Sequence, residues 1–199
     1  MRPRAAPRAV IFDLDGTLAD SLLDFDAIRA EIGLVPGLPI LEQLVDASPD
    51  ERARAEAIMR RHERAAIAAA TLTDGCADLL GHLASLEIPT AILTRNVREV
   101  VETFARAFDF RFRGIYTRED GPPKPSPAGV LFLCEKLGVA PADTLTVGDY
   151  KFDVLAGRNA GCRTALLLRE PLTDDELQEW GPPDLVIRSL HELLPLFPQ

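Results

Sequence analysis

Cysteine and histidine are scarce in this chain of 199 residues, with three of each. Cys76, Cys134 and Cys162 are odd in number and far apart in sequence, which excludes a disulfide framework. They are expected to be buried, reduced, inert thiols in a cytoplasmic protein. His62, His82 and His191 stand alone, without the close pairing of an imidazole metal site. Positive charge is short as well: 22 Lys and Arg against 31 Asp and Glu leave a formal net charge of −9. Such a chain has no electrostatic footprint for nucleic acid or an anionic membrane surface. No apolar run approaches the roughly 20 residues that span a bilayer. The start, "MRPRAAPRAV", carries Arg2, Arg4 and Arg8 but no apolar stretch of signal-peptide type, and is expected to be a frayed arm. Neither G-x-x-x-x-G-K-[ST] nor G-x-G-x-x-G occurs, so P-loop and dinucleotide sites are not supported.

What the chain does have is a series of short apolar runs, each followed by helical periodicity. "AVIF" ends at Asp13, "IPTAILT" at Thr94, "GIYT" near Thr117 and "DTLTVGD" at Asp149; "CRTALLL" and a weaker "DLVI" come later. Val97, Val100, Val101, Phe104 and Phe108 form an i, i+3, i+4, i+7 stripe, and a helix is expected over 152–160. Ser126 before Pro127 reads as the cap of a helix carrying Val130, Leu131, Cys134 and Leu137. Near-continuous apolar strands alternating with helices predict an α/β fold, a Rossmann-like parallel sheet with helices on both faces. The region from Thr17 to the second strand breaks the alternation, with about 70 residues and no strand signal. Leu22, Phe25, Ile28 and Ile32 suggest one helix there, stopped near Gly33. A long Ala-, Arg- and Glu-rich helix follows from Pro49 to about Ala70, with Glu56 and Arg60 spaced for an i, i+4 pair. This divides the chain into a core of residues 1–21 and 72–199 and a small all-helical cap, 22–71, inserted after the first strand.

Ligands of an open parallel sheet bind beyond the carboxyl ends of its strands. The polar residues expected there are Asp13, Asp15, Thr94 and Asp149, with Asp153 a helical turn beyond and Lys124 in the loop "GPPKPSP". Each alone reads most simply as a turn or cap residue; together they outline a site. Clustered carboxylates suit a hard cation such as magnesium, which needs few protein ligands. A lysine and a hydroxyl beside it would offset the charge of a phosphoryl group. In that setting Asp13 is placed to attack phosphorus, Asp15 to move a proton, and Gly16 to let backbone amides approach the phosphate. A calcium loop fails on spacing, because glycine stands fourth and threonine fifth counted from Asp13, and a strand precedes.

These residues resemble the four motifs of the haloacid dehalogenase superfamily: "DLDGT" from Asp13, "ILTRN" with Thr94, "KPSP" with Lys124 and "GDYKFD" with Asp149 and Asp153. The motifs occur in the family's order over about Val10 to Leu168. The resemblance implies a Rossmann-like core with a helical cap. It makes Asp13 the nucleophile and a magnesium ligand, and Asp15 the general acid/base that also lends its backbone carbonyl to the metal. Thr94 and the amide of Arg95 would bind phosphoryl oxygens, together with Gly16, and Lys124 would neutralise the nucleophile and the phosphoryl group. Asp149 would ligate magnesium, with Asp153 ligating through water or orienting the site. The second aspartate argues for phosphate over halide chemistry, and the pattern looks like phosphoglycolate phosphatases and their sugar-phosphate-hydrolysing relatives. The expected activity is hydrolysis of a small phosphorylated metabolite by a monomer or weak homodimer. A phosphomutase, a phosphoacceptor module and a silent binding protein are the alternatives. Arg29 and Arg95 are candidates to meet a second anionic group of the substrate, and equally plain surface arginines.

Overall fold

In the computed structural model, residues 5–168, 173 and 180–198 are described. Arg2 and Arg4 of the expected arm therefore lie outside the described residues. Arg8 does not fray: its amide donates to the carbonyl of Asp143 at 2.7 Å. The chain divides into two compact units, residues 1–20 with 71–199 and residues 21–70.

The larger unit is built on six parallel strands: β1 (Ala9–Phe12), β4 (Thr90–Leu93), β5 (Gly114–Tyr116), β6 (Thr144–Gly148), β7 (Arg163–Leu167) and β8 (Leu185–Ile187), in the order β5-β4-β1-β6-β7-β8. From β1 the chain winds outward through β4 to β5, returns to β6 on the opposite flank of β1, and winds outward again. The reversal leaves a crevice at the carboxyl ends of β1 and β6, where doubly wound sheets bind ligands. All four residues of β1 are at most 1% exposed, as an inner strand covered on both faces requires. Ala9 and Ile11 point to one face, into a cluster with Ala91, Leu93, Val130, Leu133 and Ala156, while Val10 and Phe12 alternate to the other.

The helices between strands are α4 (Cys76–Ser85), α5 (Arg98–Ala107), α6 (Ala128–Leu137) and α7 (Lys151–Ala160). On α5 the expected stripe is the buried one: Val100, Val101 and Phe104, continued from Val97. Phe104 also meets the rings of Phe108 and Phe110 at 5.1 and 5.9 Å between centroids. The start of α6 differs from expectation. Pro127 is the capping residue, without a side-chain cap bond, and its carbonyl accepts from Leu131. Ser126 Oγ still accepts from the Ala128 amide, at 3.3 Å.

The smaller unit holds α1 (Phe25–Ile32), α2 (Ile40–Gln43) and α3 (Pro49–Ala69). Its core is Ile28, Ile40 and Met59 with Leu23, Ile32, Leu34, Leu41 and Leu44 around them. Leu22 lies outside α1, because Asp24 caps that helix by accepting from the Ala27 amide at 2.8 Å, leaving Leu22 85% exposed at φ +48°. Gly33 stops α1 in the left-handed region, where glycine carries no Cβ penalty. Ser48 and Glu51 form a capping box at the head of α3, and Glu56 and Arg60 pair at 2.9 Å. Two strands escaped the sequence reading, β2 (Ala19–Asp20) and β3 (Thr71–Leu72), an antiparallel pair flanking the 21–70 unit. At two residues each they are too short to show a period.

All three cysteines are free and buried, as expected, and desolvation pushes the Cys76 thiol up to about 12. Cys134 and Cys162, distant in sequence, share one core cluster, and the Cys162 thiol donates to Cys134, holding that thiol below its ordinary range. The fold joins what sequence distance separates. No helix among the described residues is long and apolar enough to cross a membrane.

Candidate active site

Asp13 directly follows β1, its amide still paired with the Val147 carbonyl at 2.9 Å. That bond extends the β1–β6 ladder by one residue and aims Asp13 into the crevice between them. The chain then turns sharply. The Leu14 carbonyl accepts from the amides of Thr17, Leu18 and Ala19, and the Gly16 amide donates to Ala19 at 2.8 Å. Gly16 has φ +78°, and a Cβ built there would lie 2.0 Å from Asp149 Oδ2. Only glycine allows the turn and the Asp149 carboxylate to coexist. Gly148 does the same for Asp153, since a Cβ there would lie 2.1 Å from its Cγ.

Lys124 reaches this cluster from the loop after β5 and is 4% exposed. Its ammonium donates to Asp13 Oδ1 at 2.6 Å and to Asp153 Oδ1 at 2.5 Å. Asp153 also accepts from the Tyr150 amide at 3.1 Å, which ties it to the first turn of α7. Thr94, at the end of β4, is 3% exposed, and its hydroxyl oxygen accepts from the Asn96 amide at 3.0 Å. The Arg95 guanidinium lies 4.5 Å over the Phe152 ring and donates to the Lys124 carbonyl at 2.9 Å. Arg118 in turn donates to the Arg95 carbonyl at 2.9 Å.

Burial raises Asp13 well above the usual carboxylate range; Lys124 opposes this, while Asp153 and Asp149 add to it. Burial likewise raises Asp149 to about 7, helped by Asp153. For Lys124, burial favours the neutral amine, but Asp13 and Asp153 outweigh it and hold the ammonium charged. The cluster is thus short of positive charge. Carboxylate oxygens of Asp13, Asp149 and Asp153 lie within 4.8 Å of one another, an all-oxygen set of the kind that suits a hard divalent cation. On donor chemistry and charge, these residues fit such an ion.

Of the eight expected residues, Asp13, Gly16, Arg95, Lys124, Asp149 and Asp153 meet around the carboxylates, and Thr94 contacts Asn96. Asp15 joins them through Asn96, whose Nδ2 donates to Asp15 Oδ2 at 3.0 Å. Arg29 belongs to the 21–70 unit, where it donates to Asp26 at 2.7 Å and to the Leu38 carbonyl at 3.3 Å. Asn96, Gly148 and Arg118 were missed by sequence reasoning. Asn96 carried a usable signal, a polar residue next to Val97 at the head of an apolar stripe.

Comparison with known proteins agrees with this architecture. Residues 10–167 match the family model for haloacid dehalogenase-like hydrolases. The chain is 33% identical over 195 residues to a haloacid dehalogenase-like hydrolase domain-containing protein of Arabidopsis thaliana, covering 92% of this chain and 77% of that one. It is 32% identical over 221 residues to phosphoglycolate phosphatase 1 of Pseudomonas aeruginosa, covering 95% and 79%. The crystal structure of a hydrolase from Pseudomonas syringae superposes with a TM-score of 0.74 at 25% identity, covering 97% of each chain. With the strand order, the crevice between β1 and β6 and the acidic cluster in it, these matches establish that the chain belongs to the haloacid dehalogenase-like hydrolase family.

Proposed function

We propose that the protein is a magnesium-dependent phosphatase that hydrolyses a small phosphomonoester through an aspartyl-phosphate on Asp13. The observation that carries this reading is the Lys124 ammonium set between Asp13 and Asp153 at the switch point of the sheet. A carboxylate held this way is oriented for attack, and the ammonium offsets charge on the incoming phosphoryl group.

Asp13, Asp149 and the backbone carbonyl of Asp15 would hold the magnesium ion, with Asp153 acting through water, and the bound ion supplies positive charge beside the phosphoryl oxygens. Thr94, the Arg95 amide and the turn at Gly16 bind those oxygens. An Asp13 oxygen forms a bond to phosphorus as the ester oxygen departs with the bonding pair and takes a proton from Asp15. Asp15, now a carboxylate, takes a proton from water as the water oxygen attacks phosphorus. Inorganic phosphate leaves and Asp13 is regenerated. We assign the 21–70 unit the role of the helical cap.

A screen of phosphorylated metabolites with magnesium, run on the parent and on Asp13→Asn, tests the reading. Phosphate release by the parent and none by the variant is the expected result, because an amide is a poor nucleophile. Equal release by both would overturn the mechanism, and an isomerised substrate without free phosphate would replace the hydrolase with a mutase.

A further inference from the structure

Asn96 is 4% exposed and fixed from several sides. Its amide donates to Thr94 Oγ1 at 3.0 Å, its Oδ1 accepts from the Val97 amide at 2.8 Å, and its carbonyl accepts from the Arg118 amide at 3.3 Å. A backbone N–H can be met only by an oxygen, so the Val97 contact settles which end of the side-chain amide faces which way. Nδ2 must then face Asp15, where it donates to Oδ2 at 3.0 Å.

We propose that Asn96 is a positioning residue for Asp15, an inference that rests on the phosphatase reading. Asp15 sits in a turn, and its carboxyl group can rotate about the Cβ–Cγ bond. The bond from Asn96 anchors one carboxyl oxygen and so fixes the plane of the group. With an N–H directed at Oδ2, that oxygen is held as an acceptor. Because Asn96 is tied to Thr94, one short segment after β4 aligns both the phosphoryl-binding hydroxyl and the proton donor.

Leaving-group dependence is the signature that a merely structural role does not produce. A p-nitrophenolate leaves readily without a proton, whereas an alkoxide needs one. The ratio of kcat/KM for p-nitrophenyl phosphate to kcat/KM for an alkyl phosphate turned over by the parent therefore reads the proton transfer. Since kcat/KM stops at departure of the first product, later hydrolysis of the aspartyl-phosphate does not enter. Asn96→Asp keeps the acceptor for Val97 and the side-chain shape, removes the donor and sets a second carboxylate against Asp15; Asn96→Ala removes donor and acceptor without adding charge. In each variant the ratio is expected to rise at least tenfold, the alkyl phosphate losing about 10²-fold, as displaced catalytic groups do. Melting curves identify which variants are folded, and either one alone suffices. A parallel loss on both substrates, or none, overturns the inference and leaves the phosphatase reading intact. A parent that releases phosphate from no ester in the metabolite screen overturns the phosphatase reading itself.

Discussion

Gly16 shows how narrowly the site is packed: its φ of +78° disfavours any side chain, and a Cβ would strike Asp149 Oδ2. Gly16→Ala is therefore expected to displace that carboxylate from Asp13 and Asp153. The consequence is read in thermal melts with and without magnesium chloride. A ligand at 100 times its Kd stabilises a folded protein by about 2.7 kcal/mol, so the parent's melting temperature should rise with magnesium and the variant's should rise much less. An identical rise in both would mean that the ion does not use Asp149. The same reasoning separates Gly16 and Gly148 from the glycines at helix ends. Gly33, Gly138 and Gly161 have open space where a Cβ would go, and serve only the backbone conformation.

At the scale of elements, α5 and the short segment before it join packing to chemistry. Thr94, Arg95 and Asn96 leave the end of β4, and the helix that follows is anchored by Val97, Val100, Val101 and Phe104, all at most 1% exposed. Phe104→Ala removes a ring in contact with Phe108 and Phe110 and leaves a cavity, at an expected loss of about 3–5 kcal/mol. Urea unfolding checks this, with a lower midpoint and an unchanged slope expected. A midpoint near that of the parent would show that the helix is held by something other than its apolar stripe.

At the scale of the molecule, the last described residues close back on α4 through two histidines. His82 Nε2 lies 2.7 Å from the Phe197 carbonyl, and His191 Nε2 lies 2.7 Å from Asp78 Oδ2. The hydrogen bond to Asp78, joined by the charges of Asp74 and Asp78 against a smaller desolvation, raises the His191 pKa above its ordinary value of 6.5. A raised histidine stabilises the fold fully below its unfolded pKa, and that contribution fades as pH rises through the folded value. His191→Gln should accordingly lower the melting temperature more at pH 5.5 than at pH 8.5. A difference independent of pH would assign the residue to packing alone.

Much of the fold and most of the candidate site are legible without coordinates, for a definite reason. In a parallel sheet every strand runs the same way, so the residue ending each apolar run falls on one edge. Asp13, Thr94 and Asp149 are such residues. Lys124 and Asp153 are found by their distance from those ends and by the motif order. The β2–β3 pair was not legible, because two residues carry no period. Neither was the pairing of Cys134 with Cys162, nor the bond from Asn96 to Asp15, because each joins segments whose approach depends on how the sheet is wound. The sequence by itself determined which residues end the strands, since apolar periodicity and strand direction are local properties. Only the tertiary structure decided which of those residues touch: contacts across 81 and 111 positions of chain, Asn96 to Asp15 and Lys124 to Asp13, are set by strand order and by the glycines that let carboxylates close on one another.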